Sequence, residues 1–253
     1  MKGIKLFMAI TWLSLIASFS LVAQESNEVV LADEWVVTVN VNDRQAFESA
    51  LSKHMKFRAD AKDPRQWEVY TQVIGERMQE YILRSCCTNW NSIDAYRDWS
   101  ASSKTSAHWN KTVSKYTQGA NHYYSEIDTE NSNWDNEKEF KYFGVSRMFV
   151  KQGEGFALQK SIKEISDAAK KMQWEKSFSW QSPIGGSNRI ELVVGYENYS
   201  AMTPPKASFF QRLTEQMGDK AKATSLLETY SKHFTSTDYS VYVHRKDLSM
   251  PKK

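Results

Sequence analysis

The sequence predicts an α+β protein that consists of two tandem β-α-β-β-α-β units. The tripeptide Gln-Trp-Glu begins at Gln66 and again at Gln173, and each copy opens a run that alternates between apolar and polar residues, as strands do. Strand-like and helix-like periodicities then follow each other in the same order in both halves of the chain. A polar stretch, residues 129–139, separates the two halves and is predicted to be a linker.

The first unit is predicted over residues 33–128, and it opens with the alternating strand EWVVTVNVND. The segment DRQAFESALSKHMKFRADAK has apolar residues at helical spacing. QWEVYTQVIG and MQEYILRSCCT alternate again as two strands, and two helical segments follow, the second of which ends at Gly119. The strand NHYYSEID completes the unit.

The second unit, predicted over residues 140–248, repeats this order. YFGVSRMFV, WEKSFSWQ, RIELVVGYEN and DYSVYVHR are its strands, and EGFALQKSIKEISDAAKKM is its first helix. The remaining helices are ASFFQRLTEQMG and KAKATSLLETYSKHF. A further match supports a duplication: NWNSI at Asn89 and NYSAM at Asn198 both follow the third strand of their unit.

Each unit has the order of the ferredoxin-like split motif, a four-stranded antiparallel sheet with both helices on one face. The other sheet face is predicted to be apolar, so it has to be buried against another surface. We expect the two sheets to cover each other, which makes the chain an intramolecular dimeric α/β barrel and a monomeric pseudo-dimer. The residues assigned to this second face are Val36, Tyr70, Ile74, Ile82, Phe143, Val145, Phe149, Val193 and Tyr242.

With this order of elements, and with TNWNSIDAYRDW as its strand-to-helix turn, the chain resembles the dimeric α+β barrel superfamily in its tandem form. The resemblance covers residues 33–248 and is to the antibiotic-biosynthesis-monooxygenase, EthD and NIPSNAP-like branches. It implies a ligand site between the sheet and the helices of one unit. Members include cofactor-independent oxygenases, isomerases, haem enzymes and proteins of unknown role, so the fold alone does not decide the function.

Residues 1–23 have the order of a secretory signal: the basic MKGIK, an apolar run, and Ala23 at the cleavage position. The protein is therefore predicted to be periplasmic or secreted, with an uncleaved anchor as the alternative because Leu21 is large. No other stretch is long and apolar enough for a membrane helix. Without Lys2 and Lys5, 31 basic residues stand against 30 acidic ones. With no basic stripe, a nucleic-acid partner is not expected.

The two cysteines, Cys86 and Cys87, are adjacent. Neighbouring Cα atoms lie about 3.8 Å apart, below the usual disulfide range of about 4.4–6.8 Å. Free, mostly buried thiols are therefore the favoured prediction, and the alternatives are a strained vicinal disulfide, thiol chemistry or an intermolecular disulfide. A metal site is not predicted, because the chain lacks a second Cys pair and suitably spaced His ligands.

The candidate ligand-binding residues are histidines, tyrosines and one arginine on the predicted strands and helices. Arg84 lies in a strand of apolar and small residues, where it either pairs with Glu68 or Glu126 or binds the carboxylate or enolate of a substrate. A haem would require a histidine as its axial ligand, and nothing in the spacing selects one, so no cofactor is predicted. The full set is His54, Tyr70, Tyr81, Arg84, His108, His122 and Tyr124.

Three functional interpretations follow from these observations. The leading one is a protein that binds a small aromatic or apolar ligand in a pocket between sheet and helices, because aromatic residues make up 13% of the chain. The second is a cofactor-independent oxygenase or isomerase. The third is a structural or interaction protein without a pocket.

Overall fold

The computed structural model describes residues 28–252, so the predicted secretory signal, residues 1–23, lies outside the described residues. The described chain forms eight β-strands and six α-helices, joined by short turns. The strands are β1 Leu31–Val39, β2 Glu68–Ile74, β3 Glu80–Thr88, β4 Thr117–Asn133, β5 Tyr142–Val150, β6 Phe178–Ile184, β7 Arg189–Tyr196 and β8 Phe234–His244. The helices are α1 Arg44–Asp60, α2 Ile93–Ser102, α3 Thr105–Thr112, α4 Gly155–Lys171, α5 Phe209–Met217 and α6 Lys220–Lys232.

All eight strands pair antiparallel in one closed barrel, in the order β1-β3-β2-β8-β5-β7-β6-β4. The strands of each half of the chain remain neighbours, as β4-β1-β3-β2 and β8-β5-β7-β6. The pairings of β2 with β8 and of β4 with β6 join the halves and close the barrel. The prediction of an α+β fold with a barrel formed within one chain is confirmed.

The connection between the halves is shorter than the predicted linker of residues 129–139. Strand β4 continues to Asn133, which pairs with Phe178 of β6. The strand is irregular after Asp128, whose carboxylate accepts hydrogen bonds from the backbone and the side chain of Asn131. The linker prediction was wrong here because these polar side chains bond to each other within a strand.

In the first half, the outer face of the sheet packs against α1. Phe47 and Leu51 of α1 are fully buried against Val37 and Val69. The segment after β8 also reaches this core, where Leu248 and Met250 are buried. In this way the end of the second half contributes to the core of the first.

The barrel interior contains buried charges as well as the predicted apolar residues. In the first half, Arg84 Nε donates to Glu34 Oε1 at 2.7 Å, and Ser125 donates to Glu34 Oε2 at 3.0 Å. In the second half, Arg147 lies 3.4 Å from Glu191. The second face of the sheet is therefore apolar only in part.

The interior charges form pairs within each half, which is what makes their burial tolerable. Burial raises the pKa of Glu34, and the neighbouring Arg84 acts against this shift. The β1–β3 register places Glu34 opposite Arg84, and the β2–β3 register places the predicted partner Glu68 opposite it on the other side. Arg84 forms its ion pair and hydrogen bond with Glu34, whereas Glu68 is a weaker electrostatic partner. Glu126, the other predicted partner, forms no ion pair with Arg84 in the described chain.

Cys86 and Cys87 form a vicinal disulfide across a cis peptide bond, and both residues are exposed. The prediction of free, buried thiols was wrong. The β1–β3 register shifts at this point, since Leu31 is opposite Thr88 and Ala32 is opposite Cys86. Cys87 consequently has no partner on β1, and the cysteines are released from regular strand geometry.

Candidate functional site

A cavity of about 950 Å³ lies in the first half, between the outer face of the sheet and the helices α1 to α3. It is open to solvent on one side. Four tryptophans form much of its wall: Trp35 on β1, Trp67 before β2, Trp90 before α2 and Trp109 on α3. Tryptophan combines a large apolar surface with one polar group, so this wall suits a flat, largely apolar ligand.

The corresponding space in the second half is filled by side chains. Phe178 and Trp180 of β6 are buried against Leu158 and Ile162 of α4, and Trp174 and Phe209 pack around them. A second depression, of about 520 Å³, lies between α4 and α6 rather than against the sheet. The two halves of the barrel therefore differ at the place where the resemblance implies a ligand.

His54, which lines the cavity, contacts His108 of α3. Arg58 Nη1 lies 3.4 Å from His54 Nε2, and His54 Nδ1 lies 3.0 Å from His108 Nδ1. Because an arginine only donates, His54 Nε2 accepts, and His54 Nδ1–H therefore donates to His108. Burial, and then Arg58, lower the pKa of His54 to about 3, so this imidazole is neutral. Both of its nitrogens have protein partners, which makes His54 unsuitable as a metal ligand.

A histidine–carboxylate pair lies on the strand side of the cavity. His122 Nε2 on β4 is 2.9 Å from Asp33 Oδ1 on β1, and the other oxygen of Asp33 accepts a hydrogen bond from Arg65. Asp33 is only 3% exposed, whereas the His122 side chain is about one-third exposed and lines the cavity. The register of β1 with β4 places Trp35 opposite His122, which brings Asp33 within reach of the ring.

Four rings form a continuous aromatic row along this wall. The His122 ring stacks on Trp35 at 4.2 Å between centroids and meets Tyr124 edge-on at 4.9 Å. Tyr124 in turn contacts Trp90 at 5.6 Å. Trp35 and Trp90 are 40% and 49% exposed, so the row ends in two ring surfaces that solvent or a ligand can reach.

The charges around the cavity are only partly balanced within the protein. Arg58 pairs with Asp63 at 2.7 Å, and Arg65 pairs with Asp33. Arg97 on α2 lines the cavity and forms no ion pair or hydrogen bond with the rest of the described chain. It is exposed, and its guanidinium group is available to an anion that enters the cavity.

The structure brings together some of the residues predicted from the sequence. His54, His122 and Tyr124 line the cavity, and His108 stacks on His54. Tyr70 and Arg84 are elsewhere, because they face the barrel interior, where Tyr70 contacts Phe143.

Tyr81 is on the helix side of the sheet but below the cavity, where it donates to Glu48 at 2.6 Å. Of the seven candidate ligand-binding residues, Tyr70, Tyr81 and Arg84 therefore do not line this cavity. Neighbouring residues of a strand point to opposite faces of the sheet, so Arg84 cannot share the cavity with Leu83, which lines it.

Sequence reasoning missed several residues of the cavity wall. Asp33 lies at the same strand periodicity as Trp35 and Val37, and this polar residue on an otherwise apolar face was a usable signal. Trp35 itself, on the same strand, was also missed. Further missed residues were helical or in turns, where the sequence does not indicate which side faces a cavity. They are Arg58, Trp90, Tyr96, Arg97 and Trp109.

Within residues 28–252, no group of histidine, cysteine and acidic residues is arranged to hold a metal ion. None of the helices in the same range is long and apolar enough to cross a membrane.

No family model and no curated protein matches the sequence. Solved structures do match. A "putative monooxygenase" from Lactobacillus acidophilus NCFM has a TM-score of 0.54 and 10% identity, over 86% of this chain and 94% of its own. An anthrone oxidase-like protein has a TM-score of 0.54 and 7% identity, over 90% and 95% of the two chains. A mutant chlorite dismutase from Candidatus Nitrospira defluvii has a TM-score of 0.53 and 10% identity, over 88% and 94%.

These neighbours belong to the dimeric α+β barrel superfamily, and the chain has the fold of that superfamily. The resemblance predicted from the sequence is confirmed at the level of the fold. At 7–10% identity the likeness establishes the fold, whereas the function must be argued from the cavity.

Proposed function

We propose that this protein binds a small, flat aromatic or apolar ligand in the cavity of its first half. The observation that carries the proposal is the contrast between the halves: about 950 Å³ is open in the first, and side chains fill the equivalent space in the second. Ligand pockets of proteins typically have about 300–1,000 Å³ and predominantly apolar walls.

The wall also supports a preference for one class of ligand. The row from Trp35 to Trp90 offers ring faces for stacking, and each aromatic contact contributes about 0.5–1.5 kcal/mol beyond burial of area. Arg97 can bind a carboxylate at the edge of the cavity. Flat aromatic acids combine both features, and they are the ligands that we expect to bind best.

Two further proposals concern the whole chain. The strand order within each half and the similar turns at Asn89 and Asn198, whose side chains accept from Ser92 N and Ala201 N at 3.0 Å, support two copies of one ferredoxin-like unit. Such a chain contains its own pseudo-dimer and is proposed to be monomeric.

Export to the periplasm or outside the cell is supported by the order of residues 1–23 and by the disulfide, which persists in oxidising compartments.

A thermal-shift screen with aromatic acids, flavins and haem tests the ligand proposal, with quenching of tryptophan fluorescence as the second readout. Ala101 on α2 lines the cavity, whereas Ala107 on α3 is exposed away from it. A101W should fill the cavity and abolish both signals. A107W, which adds the same side chain to the neighbouring helix, should keep them.

If no compound of the three classes stabilises the wild-type protein, the binding proposal is wrong and a structural or interaction role gains support. Equal binding by A101W would place the ligand elsewhere on the molecule. An oxygenase or isomerase would need, in addition to ligand binding, a group in the cavity that accepts or donates a proton.

A further inference from the structure

We propose that His122 is a general base that removes a proton from a weakly acidic C–H group of a flat ligand, and that Asp33 is its positioning residue. This inference rests on the proposed function, because the ligand must first occupy the cavity. It adds a chemical activity that binding alone does not require.

The hydrogen-bond geometry assigns the protons of the His122 ring. A buried, arginine-paired carboxylate such as Asp33 accepts only, so the bond of 2.9 Å to His122 Nε2 requires that this nitrogen carries hydrogen. Nδ1 then holds a lone pair. No described residue donates a hydrogen bond to His122 Nδ1, and the ring borders the cavity. His122 is thus a base without an internal proton donor.

The described chain contains a second histidine–carboxylate pair, which differs from the first in the number of ring nitrogens that are hydrogen-bonded. His233 Nδ1 lies 2.9 Å from Glu154, and its Nε2 lies 3.0 Å from Ser161. Both nitrogens are therefore engaged, the ring is buried, and the sheet–helix space around it is packed. Of these two pairs, His122 with Asp33 is the one with a free nitrogen beside an open cavity.

The surroundings of His122 favour proton uptake in the presence of a ligand. Asp33 stabilises the imidazolium that forms, and the ion pair with Arg65 holds Asp33 in place. Trp35 covers one face of the His122 ring, and the part of the ring that stays exposed borders the cavity, where a planar ligand can reach it. The titratable and charged groups that line the cavity together with His122 are Asp33 on β1, Tyr124 on β4, His54 and Arg58 on α1, and Asp94, Tyr96 and Arg97 on α2; Arg65, before β2, acts through Asp33.

The probe 5-nitro-1,2-benzisoxazole is flat, aromatic and carries one acidic C–H group. His122 Nδ1 takes the proton from C3, the electron pair of the C–H bond becomes part of a nitrile, and the N–O bond breaks to leave a phenolate. The proton remains on His122 until water removes it. The reaction needs neither an oxidant nor a reductant, and the coloured phenolate reports its rate.

The test compares the wild type with H122Q and with H233Q, the matched control from the packed half. Loss of a general base typically costs about 10²–10⁴ in rate, so H122Q should lose most of the acceleration over buffer. H233Q, checked by circular dichroism to be folded, should keep the wild-type rate. H122F preserves the stacking on Trp35 and should be as inactive as H122Q, which separates the base from the packing of the ring.

The positioning role of Asp33 is tested with D33N and a pH profile. Without the carboxylate the neutral ring is favoured, so the pH of half-maximal rate should decrease along with the rate. A merely structural role would lower the rate without moving that pH. An unchanged profile in folded D33N would overturn the role of Asp33.

Binding of the uncleavable analogue 5-nitroindazole, followed by tryptophan fluorescence, separates the two proposals. One outcome is that the analogue binds to the wild type and fails to bind to A101W while the elimination rate is the same in H122Q as in the wild type. In that case the general-base proposal is wrong and the binding proposal stands. If the analogue does not bind at all, both are wrong for flat aromatic ligands. A His122-dependent reaction in the wild type supports both.

Discussion

Lowering the pH should destabilise this protein through His54, the buried imidazole of α1. His54 is 1% exposed, and burial together with Arg58 lowers its pKa to about 3. In the unfolded chain a histidine has a pKa of about 6.5. Between these values the unfolded state binds a proton that the folded state does not. The contribution of His54 to stability is thus complete above about pH 6.5 and is lost as the pH falls.

The size of the effect follows from proton linkage. Each pH unit below about 6.5 reduces the free energy of unfolding by about 1.4 kcal/mol for one such group. From pH 6.5 to 5.0 the loss is therefore about 2 kcal/mol, a large part of the stability of an ordinary domain. Burial also lowers the pKa of His108, which acts in the same direction.

Urea denaturation at pH 7.5, 6.5 and 5.0 measures this loss in the wild type, in H54Q and in K53Q. H54Q should be less stable at pH 7.5, because it loses the contact with His108, but its stability should fall by about 2 kcal/mol less on going to pH 5.0. K53Q changes an exposed residue of the same helix and should retain the wild-type slope. If the wild type and H54Q lose stability in parallel over this range, the reasoning is refuted.

Two further predictions concern packing, and urea denaturation tests both. A Cβ at Gly195 would lie 2.6 Å from the ring of Phe140, so G195A should lower the free energy of unfolding by about 1–3 kcal/mol. Gly155 faces open space, so G155A should leave the free energy of unfolding unchanged or raise it slightly. M250A removes a side chain that is 2% exposed and should cost about 2–5 kcal/mol, while M78A, at an exposed position, should cost little. Equal effects within either pair would contradict the packing described.

Local patterns in the sequence were sufficient to predict the elements of the fold. The two Gln-Trp-Glu tripeptides do precede β2 and β6, and Trp67 and Trp174 both contribute to the core between sheet and helices. Alternation with a period of two is a property of the strand itself, so it can be read without knowing the neighbouring strands. The closed barrel followed from the need to cover the second sheet face.

The site could be predicted only in part, because it depends on registers between distant strands. Asp33 reaches His122 through the β1–β4 register, and Arg84 reaches Glu34 through the β1–β3 register. A one-residue shift of either register would break the pair that depends on it. The cavity itself depends on how far α2 and α3 stand from the sheet, and their short, mostly polar sequences do not specify that distance.

The charges inside the barrel have a consequence for how such a chain can be assembled. Glu34 and Arg84 neutralise each other within the first half, and Arg147 and Glu191 do so within the second. A nick between positions 134 and 141 would consequently give two fragments that each keep their interior ion pair. Association would then have to match the shape and the strand edges of the seam and to form the half-buried pair of Glu48 with Arg245, which joins the two pieces.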